Sequence, residues 1–94
     1  MLRVGILQVH LEIPWAQSLK DKRSIVKSIK DSTRRRFNVS IAEFDDLDTL
    51  TSASLGIVMA GNDPKYILGA LEKFRQVLVE WPEANLIDFQ VEVL

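Results

Sequence analysis

Four stretches of the chain alternate between apolar and polar residues, the pattern of strands that bury one face. They are Leu2–Ile13, Val39–Phe44, Ala53–Ala60 and Leu86–Leu94. Pro14 ends the first stretch, because proline cannot donate a hydrogen bond to a neighbouring strand. In the last stretch the alternation directs these residues toward the core: Ile87, Phe89, Val91 and Val93.

Two further stretches repeat their apolar residues with the period of a helix. The first begins at Ser18, whose hydroxyl can cap the free amides of the first turn, and runs for about five turns to Phe37. Asn38 follows, where a left-handed conformation would end the helix. The apolar side of this helix comprises Leu19, Ile25, Val26, Ile29, Thr33 and Phe37.

The second helix is predicted to start at Asp63-Pro64, where an N-cap residue precedes a proline in the first helical position. Pro82 ends it. Its apolar stripe comprises Tyr66, Ile67, Ala70, Leu71, Phe74, Val77, Leu78 and Trp81. Each helix therefore has one apolar side available for packing against a sheet.

The element order is β-α-β-β-α-β, two split βαβ halves joined by a hairpin. Right-handed crossovers place both helices on one face of a four-stranded antiparallel sheet. We therefore expect a single α+β domain over residues 1–94, a ferredoxin-like sandwich. The edge strands Val39–Phe44 and Leu86–Leu94 contain neither proline nor an interior lysine, the residues that commonly protect an edge. This predicts a homodimer or higher oligomer.

The amino-acid composition excludes several classes of function. Of the 94 residues, 47% are hydrophobic and 27% charged, as in an ordinary globular domain. There is no cysteine, which excludes thiolate chemistry, and the single histidine, His10, excludes sites that need two imidazoles. No apolar run approaches the roughly 20 residues of a membrane span, and the N-terminus lacks the pattern of a signal peptide. We expect a soluble cytoplasmic protein with no membrane partner.

The net charge of −1 hides a strongly uneven distribution. Residues 18–37 contain eight basic and two acidic residues and carry +6, while the rest of the chain carries −7. Five of the cations fall within an arc of about 80° on the helix; they are Lys20, Arg23, Lys27, Lys30 and Arg34, called here the basic stripe. The stripe is either a solvated face or a surface for phosphates, with RNA as the natural ligand.

Other chemistry is weakly indicated. The two middle strands expose no aromatic residue for base stacking, and the acidic loop Asp45–Ser52 lacks the pattern of a calcium loop, so we expect a solvated turn. His10 and Glu12 with carboxylates of the last strand satisfy no metal-ligand spacing, which favours a half-exposed histidine in a polar patch. Trp15 either contacts a partner or covers the core. We expect no catalytic residue, cofactor, metal or small-molecule substrate.

Three stretches together resemble the YlxP-like family of small bacterial proteins of unknown function. They are Ile13-Pro14 with Ser18–Arg23, then Arg36–Glu43, then Leu55–Ile57 with Asn62-Asp63. The resemblance implies a ferredoxin-like fold and no catalytic residues. It also implies association with the ribosome, because in several bacteria the family's gene lies between those of a translation initiation factor and a ribosome-binding factor.

Two hypotheses follow, with an enzyme acting on small molecules as a third. The first is a non-enzymatic protein that binds ribosomal RNA or the ribosome through the basic stripe. The alternative is a non-enzymatic interaction module that forms a homo-oligomer through its sheet.

Overall fold

Two helices lie on one face of a four-stranded antiparallel sheet in the computed structural model, which describes all 94 residues. The elements are β1 (Arg3–Glu12), α1 (Leu19–Arg36), β2 (Ser40–Asp45), β3 (Ser52–Gly61), α2 (Pro64–Val79) and β4 (Asn85–Val93). The strand order is β2-β3-β1-β4, so β2 and β4 form the edges. This confirms the ferredoxin-like α+β prediction.

The two middle strands supply the floor of the core. β1 and β3 pair so that Leu7 lies opposite Ile57 and Val9 opposite Leu55. All four side chains are buried on the face that the helices cover. The alternate residues of these strands point to the other face, which no element covers.

Helix α1 begins as predicted and ends differently. The Ser18 hydroxyl accepts a hydrogen bond from the Asp21 amide at 3.1 Å, which caps the first turn. At the other end Phe37 is the cap residue, in an extended conformation, and Asn38 is not left-handed, contrary to the prediction. The extended exit suits Phe37, since its ring packs edge-to-face on Phe74 with 6.0 Å between centroids.

Helix α2 begins at the predicted cap, where the Asp63 carboxylate accepts a hydrogen bond from the Lys65 amide at 3.0 Å. Four residues of its predicted stripe are buried: Ile67, Leu71, Phe74 and Leu78. Tyr66 was expected on this stripe but is 66% exposed. The stripe is therefore narrower than predicted, because Tyr66 lines an open groove beside α1 instead of packing on the sheet.

Strand β4 departs most from the prediction. Leu86 pairs with Leu11 and Asp88 with His10, so Ile87 is an extra residue in a β-bulge. The bulge interrupts the alternation, and Ile87 is 62% exposed instead of facing the core. Phe89 and Val91 do lie on the helix-covered face, yet they are 39% and 45% exposed because β4 is at the edge of the sheet.

The length and hydrophobicity of a helix determine whether it can cross a membrane. Neither α1 nor α2 combines the length and the hydrophobicity of a membrane-spanning helix.

Candidate nucleic-acid interface

The basic stripe runs along one side of α1. Lys20, Arg23, Lys27 and Arg34 are exposed and Lys30 is half-buried. The Arg34 guanidinium donates a hydrogen bond to the Ile41 carbonyl at 3.2 Å, which places this end of the stripe beside edge strand β2. The stripe is a surface feature over its whole length.

An anion lies beside the stripe that the sequence analysis did not include. Asp31 accepts a hydrogen bond from the Lys27 ammonium at 2.7 Å, and its other oxygen lies 3.8 Å from the Arg34 guanidinium. The hydrogen bond from Lys27, followed by the charges of Lys27 and Arg34, holds the pKa of the Asp31 carboxyl below its ordinary value. Two stripe cations are therefore partly neutralised.

The remaining stripe cations have no such partner. No carboxylate lies within 4.0 Å of the charged groups of Lys20, Arg23 or Lys30. Arg35 and Arg36 follow in the last turn of α1, where positive charge also complements the negative end of the helix dipole. The surface of α1 thus presents five cations that no protein anion neutralises.

One cation of α1 is buried. The Lys22 ammonium is fully buried and donates hydrogen bonds to the carbonyls of Asp46 and Thr49, the latter at 2.7 Å. Its Nζ also lies 3.0 Å from Oε2 of Glu43, close enough for an ion pair although the contact is not aligned as a hydrogen bond. Lys22 therefore fastens the β2–β3 loop to α1 and takes no part in the exposed surface.

The signal for this contact was present in the sequence. Lys22 precedes Ile25 by three positions and Val26 by four, so it lies on the apolar side of the helix. Glu43 comes two positions after Ile41 in β2, so both side chains lie on the core-facing side of the strand. A lysine and a glutamate that each lie on a buried face indicate a buried ion pair.

The acidic loop is exposed, as expected for a solvated turn, and hydrogen bonds also hold it in place. Asp46 has a left-handed backbone with φ of 59°, a conformation that aspartate tolerates. Its carbonyl accepts from Lys22 on one side of the sheet, and its carboxylate accepts from the Ser54 hydroxyl at 3.3 Å on the other. The loop is therefore held from both faces.

His10 belongs to this same network. Its Nδ1 lies 2.8 Å from the Ser54 hydroxyl, and its ring meets Phe44 edge-on with centroids 6.2 Å apart. Ser54 is fully buried, so this hydroxyl is not placed to attack a substrate. No group of three or more histidine and carboxylate side chains converges as metal ligands would.

Trp15 lies in the loop between β1 and α1 and is 63% exposed. Its indole therefore does not cover the core, and contact with a partner stays a prediction.

Comparison with known proteins finds similarity at two levels, in sequence and in fold. Uncharacterized protein YlxP of Bacillus subtilis (strain 168) is 30% identical over 80 residues, which span 85% of this chain and 87% of the relative. Two solved structures share the fold over 100% of this chain. The de novo designed protein Foldit4 has a TM-score of 0.59 at 12% identity over 97% of its chain. The 30S ribosomal protein S6 from Thermotoga maritima has a TM-score of 0.53 at 14% identity over 89% of its chain. A model of the family described as "Protein of unknown function (DUF503)" matches residues 4–91, and the chain accordingly belongs to this family, as the resemblance to the YlxP-like proteins predicted.

Proposed function

We propose that this protein is a non-enzymatic RNA-binding protein of the cytoplasm that associates with ribosomal RNA through the basic stripe of α1. The observation that carries the proposal is the concentration of unneutralised cations on one helix of an otherwise acidic chain. Lysine and arginine side chains that meet phosphates release condensed counterions, which supplies most of the affinity of such surfaces. The 30S ribosomal protein S6 shares the fold, and the proposal rests on the charges of this chain.

The experiment measures binding of purified ribosomal RNA, and co-sedimentation with ribosomes, across a range of salt concentrations. Five phosphate contacts predict a log–log slope on the order of −3.5 to −4.5. If Asp31 keeps Lys27 and Arg34 occupied, three contacts predict about −2 to −2.7. Asp31→Asn then strengthens binding and steepens the slope, because it releases both cations.

A charge-matched pair of variants isolates the stripe. Arg23→Glu with Lys27→Glu removes most of the binding, since both residues lie on the stripe and are exposed. Arg3→Glu with Lys65→Glu changes the net charge equally but lies elsewhere on the chain, and it weakens binding much less. Equal losses in the two double variants, or no association at low salt, would overturn the proposal.

A second candidate function has its own observation. Edge strand β4 exposes Ile87, Phe89 and Val91, and Leu68 of α2 lies exposed beside the last two. Apolar side chains next to an unpaired strand edge favour pairing with another strand. We propose that this edge forms a homo-oligomer by pairing with β4 of a second copy.

A further inference from the structure

A groove of about 620 Å³ lies between the C-terminal end of α1 and the outer side of α2. Its walls include Arg36, Phe37, Tyr66, Gly69, Lys73 and Gln76. The position of Gly69 is open, because a Cβ added there meets no atom within 4 Å. The groove is on the opposite side of α2 from the exposed apolar residues beside β4.

The groove offers an aromatic surface. Tyr66 is 66% exposed and is the one tyrosine of the chain. Phe37 lines the same groove from the α1 side; it is half-buried and held by its edge-to-face contact with Phe74. An exposed aromatic ring at the wall of a groove is a surface on which a planar base can stack.

Cations flank this surface from both helices. Arg36 comes from α1, with its guanidinium carbon 6.0 Å from the centre of the Phe37 ring, and Lys73 comes from α2. No carboxylate lies within 4.0 Å of either charged group. Gln76 adds an amide that can both donate and accept hydrogen bonds. An exposed aromatic ring that shares a groove with two unneutralised cations complements a base that carries a phosphate.

We propose that this groove binds one unstacked nucleotide of single-stranded RNA, with its base on Tyr66 and its phosphates near Arg36 and Lys73. The inference rests on the proposed function, which it deepens by naming the form of RNA. Arg34 of the stripe and Arg36 of the groove lie two positions apart in the last turn of α1, so their side chains point to opposite sides of the helix. A strand that contacts both surfaces therefore passes around the C-terminal end of α1.

The test uses the full chain and an adenosine hexanucleotide that carries one 2-aminopurine, whose fluorescence falls when it stacks. Tyr66→Ser weakens binding of this strand by about 5- to 150-fold, the range for loss of one aromatic stacking partner. Tyr66→Phe retains the ring and restores both affinity and quenching. Lys73→Gln weakens binding and lowers the salt slope by about 0.7.

Val79→Ser is the matched control, because Val79 is exposed at the end of the same helix, outside both the groove and the apolar surface beside β4. It leaves binding unchanged. An RNA duplex provides a second control, since its bases are not free to stack on a side chain, and Tyr66→Ser leaves its binding unchanged as well. Equal effects of Tyr66→Ser and Val79→Ser, or a Tyr66→Phe variant that binds as weakly as Tyr66→Ser, would overturn the groove as a nucleotide site.

The outcomes also separate the groove from the stripe. One outcome is that charge reversal in the stripe abolishes duplex binding while Tyr66→Ser leaves binding of the single strand unchanged. The groove is then not a nucleotide site, and the proposed function stands. If the chain binds no RNA at low salt, both are wrong. Adenosine monophosphate, tested by equilibrium dialysis, binds more weakly than the hexanucleotide; tighter binding of the free nucleotide would overturn RNA as the ligand.

Discussion

The two βαβ halves of the fold share a topology but differ in what they bury and what they expose. In the first half, α1 carries +6 and buries a lysine against the β2–β3 loop. In the second half, the buried residues of α2 are all apolar, and the exposed apolar side chains gather where α2 meets β4. The first half therefore exposes charged side chains and buries one cation, whereas the second half has apolar side chains both in its core and on its surface.

The difference shows how one topology can serve two kinds of contact. A helix rich in cations suits phosphates, whereas an apolar strand edge suits another protein strand. Because the two surfaces belong to different helices and different edges of the sheet, a substitution on one half leaves the other surface intact. The halves can therefore be tested separately.

The largest expected effect concerns the buried cation of the first half. Lys22→Met lowers the free energy of unfolding by about 3 kcal/mol, because it leaves Glu43 and the loop carbonyls without their partner. Adding Glu43→Gln recovers part of this loss, since no uncompensated charge then stays beneath α1. Chemical denaturation of the single and double variants measures both effects.

Lys20→Met is the control for this prediction. Lys20 is exposed and lies on the same helix, so the substitution changes the unfolding free energy by no more than about 0.5 kcal/mol. Similar stabilities for the Lys22 and Lys20 variants would show that the buried lysine does not hold the loop.

The second prediction tests the apolar edge of the other half. Light scattering at high micromolar concentration gives the mass of a dimer or larger oligomer. Val91→Lys places a charge on β4 and converts the protein to a monomer, because the charge would be buried in a paired edge. Ser40→Lys, on the opposite edge strand, leaves the oligomer unchanged. A wild-type chain that scatters as a monomer would rule out self-association through β4.

The smallest expected effect is the stability lost at low pH from one exposed ion pair in each half. The Asp31 carboxyl, hydrogen-bonded to Lys27, and the Glu72 carboxyl, hydrogen-bonded to Arg75, both have a lowered pKa. Each pair therefore adds stability above the ordinary pKa of its carboxyl, 3.8 for Asp31 and 4.5 for Glu72, and this stability is lost as the pH falls through the lower folded value.

Acid denaturation curves measure this loss. Wild-type stability falls slightly more steeply below about pH 4.5 than that of Asp31→Asn or Glu72→Gln, and solvent screening keeps both differences small. Parallel curves for all three proteins would show that neither pair contributes to folding.

The sequence was sufficient for the elements, the caps at Ser18 and Asp63 and the central core, because each depends on local pattern. It was insufficient where the outcome depends on pairing between strands. The bulge at Ile87 arises from the register between β4 and β1, which alternation within β4 alone does not reveal. The Asn38 prediction failed for a related reason, since packing of Phe37 on Phe74 determines how the chain leaves α1.

The candidate interface could likewise be predicted from the sequence only in part. Helical spacing located the five stripe residues, but the arc was drawn too narrowly to include Asp31, which lies just beyond it. Lys22 lies outside the stripe, and its spacing from Ile25 and Val26 places it on the apolar side, a signal of burial that the stripe prediction did not use. Exposure of Tyr66 could not be read from periodicity, because it depends on how much width the neighbouring α1 leaves for the stripe of α2.

The burial of Lys22 also has a consequence for chemical modification. Amine-acylating reagents need an accessible, neutral amine, and of the six lysines this one reaches solvent only when the β2–β3 loop separates from α1. An acyl group acquired at that moment removes the charge and blocks the return of the loop. Lys22 acylation would therefore record past opening of the fold, and its rate relative to the five other lysines would report how often a molecule opens.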